Sequence, residues 1–347
     1  EFAGDSLRAV DLLGTLHLLD ITDPTTLVPV TAVDLATSRS EAVSTLGTRS
    51  YVACVSAGLV VADLTNPAAT PAAWPTAGTC RGVGPTKDGG IWALSGETLV
   101  CAADAPPAAT PPVARLNLTR LPSRAVVDGS RLYVVDGDLT IVDVADPGLP
   151  VVLGTHADAN HYSSIAVNGN TVYLGSNSAG VVAVDVTDPA HTAVLGVLTA
   201  DPTYSLLADG ARVFVGPRDG QLQIIDATDP ASPVVLGTYP RSGPYRAYGL
   251  DFLEDRLVML VGATTEVLEV SDPGAIMLVV SAQTGAGLDV AVWDHFVLAA
   301  AASTLRILEF VPPASLVELA ARDLPGTIYD LSVRNELVHA ACRQGGT

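Results

Sequence analysis

The chain has 347 residues, 48% of them apolar and only 16% charged, with 37 acidic against 18 basic side chains and a net charge of −19. This composition excludes a disordered chain, which lacks the apolar residues to bury a core. The charge speaks against nucleic acid, whose phosphates need clustered cations, and against anionic lipid surfaces.

In chain order, the opening Glu1-Phe2-Ala3-Gly4-Asp5 has none of the features of a secretory leader, and residues 1–13 are set apart as an N-terminal extension or cloning remnant. From Leu16 onward one pattern recurs. LHLLDITDPTTLVPV begins at Leu16 and LVVADLTNPAATPAA at Leu59. A degraded copy begins at Glu97, and clear copies are LTIVDVADPGLPVVLGT from Leu139, VVAVDVTDPAHTAVLGV from Val181 and LQIIDATDPASPVVLGT from Leu222. Weaker copies start at Thr265 and Leu305. The anchoring prolines Pro24, Pro67, Pro106, Pro147, Pro189, Pro230, Pro273 and Pro312 stand 39 to 43 residues apart. The longest apolar run, Phe296 to Ala302, is strand-length and far short of the ~18–20 residues that cross a membrane as a helix.

Each repeat divides into four strands. In the copy near Tyr204, Ser205 to Asp209 forms the first strand and Asp209-Gly210 the turn; Arg212 to Gly216, Leu222 to Asp226 and Val234 to Tyr239 form the others. Period-two alternation, β-branched residues and Asp-Gly or Asn-Gly turns agree on hairpins, and no window shows helical periodicity. Four antiparallel strands every forty-odd residues make a propeller blade. The predicted fold is therefore all-β: an eight-bladed β-propeller of four-stranded antiparallel blades spanning residues 14–347.

An apolar strand, an Asp, two residues, Asp-Pro and a short apolar strand ending in Gly resembles the LVIVD-repeat family of β-propellers. The resemblance runs from about Gly14 to Thr347 and is poor near residues 102–112. It implies that the segment before each Asp-Gly turn is innermost, beside the channel. It implies no particular activity, because the family is defined by its repeat.

The last repeat supplies a first strand (residues 328–333) and a second (337–342); the chain's start supplies the third (16–21) and fourth (28–35). N- and C-terminal strands are thus expected to share one blade, which removes open edges. The stop at Gly345-Gly346-Thr347 reads as a chain that continues into flanking domains.

The recurring acids, such as Asp143 and Asp146 or Asp226 and Asp229, look like an array of ligands. They recur because the turn recurs, where Asp bonds nearby amides. Residues that break the repeat are more informative. The loops entering the first strands, at the predicted channel mouth, carry Arg39, Glu41, Arg81, Arg124, His161, Tyr162, Tyr204, Arg246, Tyr248, Asp289, Tyr329 and Asp330. Loops on a rigid frame carry function, and Tyr and Arg are favoured at interfaces. The densest polar cluster is His156, Asp158, Asn160, His161 and Tyr162; its spacing is not that of a metal site. No nucleophile elbow or phosphate loop appears, and no cofactor is expected. Cys54 and Cys80 are candidates for a disulfide between adjacent blades, with Cys342, at the same repeat position as Cys54, as a competing partner, whereas Cys101 replaces an apolar strand residue and reads as a buried thiol.

The functional expectation is a non-catalytic binding scaffold of an exported or cell-surface protein, taking a protein partner or a small polar ligand at the channel mouth, with no nucleic acid and no direct membrane insertion. Two alternatives stay open: a hydrolase or lyase working through His161, Tyr204, Arg246 and Asp289, and a structural spacer within a longer chain.

Overall fold

The computed structural model describes residues 6–10, 15–20, 28–35, 40–63, 65–66, 68–74, 76, 79–105, 114–118, 120–158, 160–176, 178–199, 202–217, 221–240, 247–323, 327–334 and 337–343. Among them the structure is all-β, in eight sheets. The helical pieces are two single 3-10 turns, Pro189–His191 and Pro273–Ala275, and no helix is long and apolar enough to cross a membrane. The chain divides into two compact units, residues 1–117, 144–150 and 284–347, and residues 118–143 and 151–283.

The second unit holds four four-stranded antiparallel sheets in chain order. They are Arg124–Asp128, Arg131–Val135, Leu139–Asp143 and Val151–His156; Tyr162–Asn168, Thr171–Ser176, Gly180–Asp185 and Ala193–Thr199; Thr203–Asp209, Arg212–Pro217, Leu222–Asp226 and Val234–Tyr239; and Ala247–Leu253, Arg256–Val261, Thr264–Glu269 and Met277–Gln283. The second and third strands are buried almost throughout, which is why they read as continuous apolar runs. Each junction between successive sheets has its own apolar cluster. Tyr133 and Ile141 meet Ile165 and Leu174, Tyr173 and Ala183 meet Val213 and Ile225, and Phe214 and Ile224 meet Leu257 and Met259. A four-stranded sheet cannot hide both faces alone, so successive repeats bury one another.

The repeat signature has a packing reason. In each of these sheets the register shifts between the third and fourth strands. Leu153, Leu195 and Leu236 are passed over, and the following Gly154, Gly196 and Gly237 regain the ladder. The bulge brings that glycine against the Asp-Pro turn of the next repeat. A Cβ would stand 1.6 Å from Pro189 O at Gly154, 2.6 Å from Pro230 O at Gly196 and 1.6 Å from Pro273 O at Gly237. The glycine and the proline turn of the motif are thus two halves of one contact between repeats. The acids of the turns make the turns themselves: Asp185 and Asp226 accept the backbone N–H groups of Thr187 and Thr228, each at 2.8 Å, and Asp188, Asp229 and Asp272 accept from residues two further on.

The first unit holds Ser40–Leu46, Arg49–Cys54, Gly58–Asp63 and Ala72–Trp74; Cys80–Pro85, Gly90–Ser95, Thr98–Ala103 and Ala114–Asn117; and Gly287–Trp293, Phe296–Ala301, Thr304–Val311 and Ser315–Asp323. Its remaining sheet joins the two ends of the chain, as expected, but with five strands. The order is Val28–Asp34, Thr15–Asp20, Ser6–Val10, Leu337–Arg343 and Thr327–Arg334. Ser6–Val10 is therefore part of the sheet rather than an extension. It runs antiparallel to Thr15–Asp20 and parallel to Leu337–Arg343, standing between the two strands expected to pair directly.

Arginines at the start of second strands tie neighbouring sheets. Arg131 Nη1 donates to Val186 O at 3.1 Å and Arg212 Nη1 to Val270 O at 3.3 Å. At the matching place in the first unit, Arg49 Nη1 meets Asp104 Oδ2 at 2.5 Å, and Tyr51 donates its hydroxyl to Asp104 Oδ1. Burial and this bond push the Tyr51 phenol pKa upward.

Candidate functional site

The first strands carry a second, separate irregularity. Near the N-terminal end of seven of them the register slips by one residue, leaving one residue without an opposite number: Glu41, Arg81, Ser163, Tyr204, Tyr248, Leu288 and Tyr329. A bulge frees a side chain from the alternation of the ladder and re-aims it. Five of the twelve residues singled out from the sequence stand at this one backbone position. Arg81 is exposed, and Tyr204 and Tyr248 are half-buried. Within the second unit, Tyr204 and Tyr248 come from adjacent first strands. Their rings meet edge to face, 5.6 Å between centroids and 74° between planes. Ser205 Oγ donates to Ala247 O at 2.9 Å and locks these two strands.

The other sequence candidates fall elsewhere. Arg124 is exposed at the head of its strand. Asp330 follows the bulge and pairs with Ala341. Arg39 and Arg246 lie outside the described residues. Asp289 accepts Leu331 N–H on Oδ2 at 2.6 Å. It latches two first strands together, as Ser205 does in the second unit. The Cys54–Cys80 disulfide is not formed. Both are buried thiols, each turned onto a carbonyl two residues along its own chain, Cys54 Sγ to Val52 O at 3.6 Å and Cys80 Sγ to Gly82 O at 3.7 Å. Cys101 is a buried thiol, as expected, and burial pushes its pKa up to about 12.

His161 and Tyr162 join the polar cluster read from the sequence, and its geometry is now defined. Tyr162 is buried and donates to Asp158 Oδ2 at 2.6 Å; Asn160 donates its backbone N–H to Asp158 Oδ1 at 2.7 Å and its amide to Oδ2 at 3.0 Å. Partial burial works to raise the Asp158 pKa, but these donors outweigh it and hold the carboxyl below its usual range. Burial, then the bond to Asp158, raises the Tyr162 phenol pKa. His156 is buried behind them, its Nδ1 3.3 Å from Thr192 Oγ1 and its Nε2 3.7 Å from Asp158. Among the described residues no group of three His, Cys, Asp or Glu converges to hold a metal.

The sequence reading missed Arg120. Its Nη1 lies 3.4 Å from His161 Nδ1, and its backbone N–H is accepted by buried Asp136 at 3.2 Å. The signal was the period itself, since 41 residues separate Arg120 from His161, one repeat length. Gly137 sits between them at φ +96°, its carbonyl accepting Tyr162 N–H at 3.1 Å.

Comparison with known proteins agrees with this architecture. The LVIVD repeat model matches residues 39–71, 123–158, 160–199 and 204–240. No curated protein matches the sequence significantly. Among solved structures, the computationally designed Ika8 protein is similar with TM-score 0.70 at 14% identity, over 89% of this chain and 95% of its own. Sqt1 of Saccharomyces cerevisiae gives 0.69 at 10% identity, over 88% and 93%. BamB of Moraxella catarrhalis gives 0.62 at 13% identity, over 86% and 91%. At such identities the likeness is one of fold.

Proposed function

This chain carries LVIVD repeats in a β-propeller fold, and we propose that it is a non-catalytic recognition scaffold binding a protein partner through the N-terminal ends of its first strands. The observation that carries this reading is the repeated first-strand bulge. One backbone device recurs from sheet to sheet while the residue on it changes from Arg81 to Ser163, Tyr204, Tyr248 and Leu288. A uniform frame with a variable residue at one presented position suits recognition better than chemistry. The Tyr204–Tyr248 pair is the anchor, because aromatic side chains bury much area at little entropic cost. We place the protein at the cell surface or outside the cell, where an acidic surface favours solubility; antibody labelling of intact cells checks the location.

The test uses wild type and the Tyr204→Ala/Tyr248→Ala double variant as paired baits in extract and medium of the source organism. Both rings are half-buried at strand ends, so the variant should melt with wild type. A partner held by wild type and lost by the variant is the expected result. Equal capture by both baits, or no capture by either, overturns the reading.

A further inference from the structure

We infer that Arg120 and His161 form a carboxylate-binding site at the junction of the first two sheets of the second unit. This rests on the reading that these strand ends are the binding end, and it names a chemical class that end accepts.

Three observations carry it. The first is the state of Arg120. Acidic side chains outnumber basic ones two to one in this chain, 37 to 18, and Arg49, Arg212, Arg256 and Arg306 each pair with a carboxylate. The Arg120 guanidinium pairs with none among the described residues; it faces the His161 ring instead. Two nearby carboxylates are already engaged, while a third, Asp138, acts on Tyr162 through its charge. Asp136 accepts the backbone N–H groups of Arg120 and Asp138, and Asp158 accepts from Asn160 and Tyr162.

The second is the close approach of both side chains to Gly137. A Cβ there would lie 3.1 Å from Arg120 Nη1 and 3.5 Å from His161 Nδ1. At φ +96° the position favours glycine, and the turn passes directly beneath the pair, which a side chain there would push aside.

The third is preorganisation. The Arg120 backbone is pinned by Asp136 through its N–H, Gly137 by Tyr162 N–H, and His161 is flanked by Asn160 and Tyr162, both fixed on Asp158. With His161 Nδ1 accepting from Arg120, the imidazole Nε2–H and the remaining guanidinium N–H groups are donors. A planar fork of N–H groups matches a carboxylate, which it engages through two parallel bonds. Both side chains are exposed, so the carboxylate arrives from solvent, either on a small acid or on an acidic peptide side chain.

The test is calorimetric titration of the full chain with two probes, succinate and the peptide acetyl-Asp-Glu-Asp-amide, with the His161 imidazole NMR signals followed in parallel. Expected are saturable binding of at least one probe and a shift of the His161 signals. Arg120→Ala should weaken binding about tenfold or more, Arg120→Lys should weaken it less, and His161→Ala should weaken it too. Succinate alone binding assigns a small acid; peptide alone binding assigns an acidic segment of a partner. No binding of either probe at about 10 mM, or equal binding by Arg120→Ala, overturns the inference. The probes need no partner, so this failure is distinct from failure of the paired-bait experiment.

Discussion

If the glycine closing each fourth strand exists to admit the next repeat's turn, alanine at these positions should destabilise in proportion to the intrusion. At Gly237 and Gly154 the added Cβ stands 1.6 Å from a proline carbonyl oxygen, and at Gly196 2.6 Å. Relief to an ordinary contact of about 3.2 Å requires ~1.6 Å of displacement in the first two cases and ~0.6 Å in the third. The obstacle is backbone, held at Pro273 by the bonds Ala275 N–H to Asp272 O and Gly274 N–H to Asp272 Oδ1, so it cannot rotate away as a side chain would. Overpacking of this kind costs about 1–3 kcal/mol; we assign ~3 to Gly237→Ala and Gly154→Ala and ~1 to Gly196→Ala. With an unfolding entropy of about 2.1 cal/mol/K per residue, a chain of 347 residues loses ~4 °C and ~1.5 °C in Tm respectively. Differential scanning calorimetry of the three variants, with Gly210→Ala for comparison, measures this. Gly210 has φ +54° and nothing within 4 Å of its Cβ, so its cost is backbone strain alone. The argument fails if Gly237→Ala melts with wild type, or if Gly196→Ala is the most damaged of the three.

Asp289→Ala should lower stability by about 1–3 kcal/mol by stranding Leu331 N–H, and Asp289→Asn should restore most of it; chemical melts of the pair decide between latch and ligand. Asp63, Asp185, Asp226 and Glu269 are held below their usual pKa, chiefly by hydroxyl bonds from Thr65, Thr187, Thr228 and Ser271. Their folded pKa values lie below the unfolded ones, so their contribution is full above the unfolded values near about pH 4 and is lost as pH falls through the folded values. Tm measured against pH should fall on that acid side, and the Asp185→Asn/Asp226→Asn variant should start lower and fall less steeply. Cys54, Cys80 and Cys101 are buried, and burial raises the Cys80 and Cys101 thiol pKa values; all three should resist iodoacetamide in the folded protein and react in denaturant, read residue by residue by mass spectrometry.

The repeat was legible because the same physics acts at each copy. Second and third strands are covered on both faces and read as apolar runs, while Asp-Gly and Asp-Pro turns mark their ends; Leu222–Asp226 and Val234–Tyr239 fall where the alternation puts them. Ser6–Val10 was not legible, since five residues before the first full repeat carry no turn signal and their parallel partner is at the far end of the chain. The bulges were hidden for a related reason: a one-residue slip leaves the pattern of Thr203–Asp209 intact and alters only what Tyr204 opposes. The Asp289 latch was not legible because a carboxylate at a strand end looks the same in sequence whether or not it meets the neighbouring Leu331 amide. Arg120 escaped notice because it sits in a degenerate linker, where its partner is identified only by folding.

The parallel pairing of Ser6–Val10 with Leu337–Arg343 has a mechanical consequence. Had Thr15–Asp20 paired directly with Leu337–Arg343 as an antiparallel neighbour, a pull on the two ends would have opened the ladder from one side, one bond at a time. Parallel strands place the leading end of one and the trailing end of the other at opposite ends of the ladder. Tension applied at Ser6 and Arg343 therefore slides the strands past each other and loads the registered pairs Arg8–His339, Ala9–Ala340 and Val10–Ala341 together. The inserted strand turns the junction of the chain's two ends from a zipper into a shear clamp.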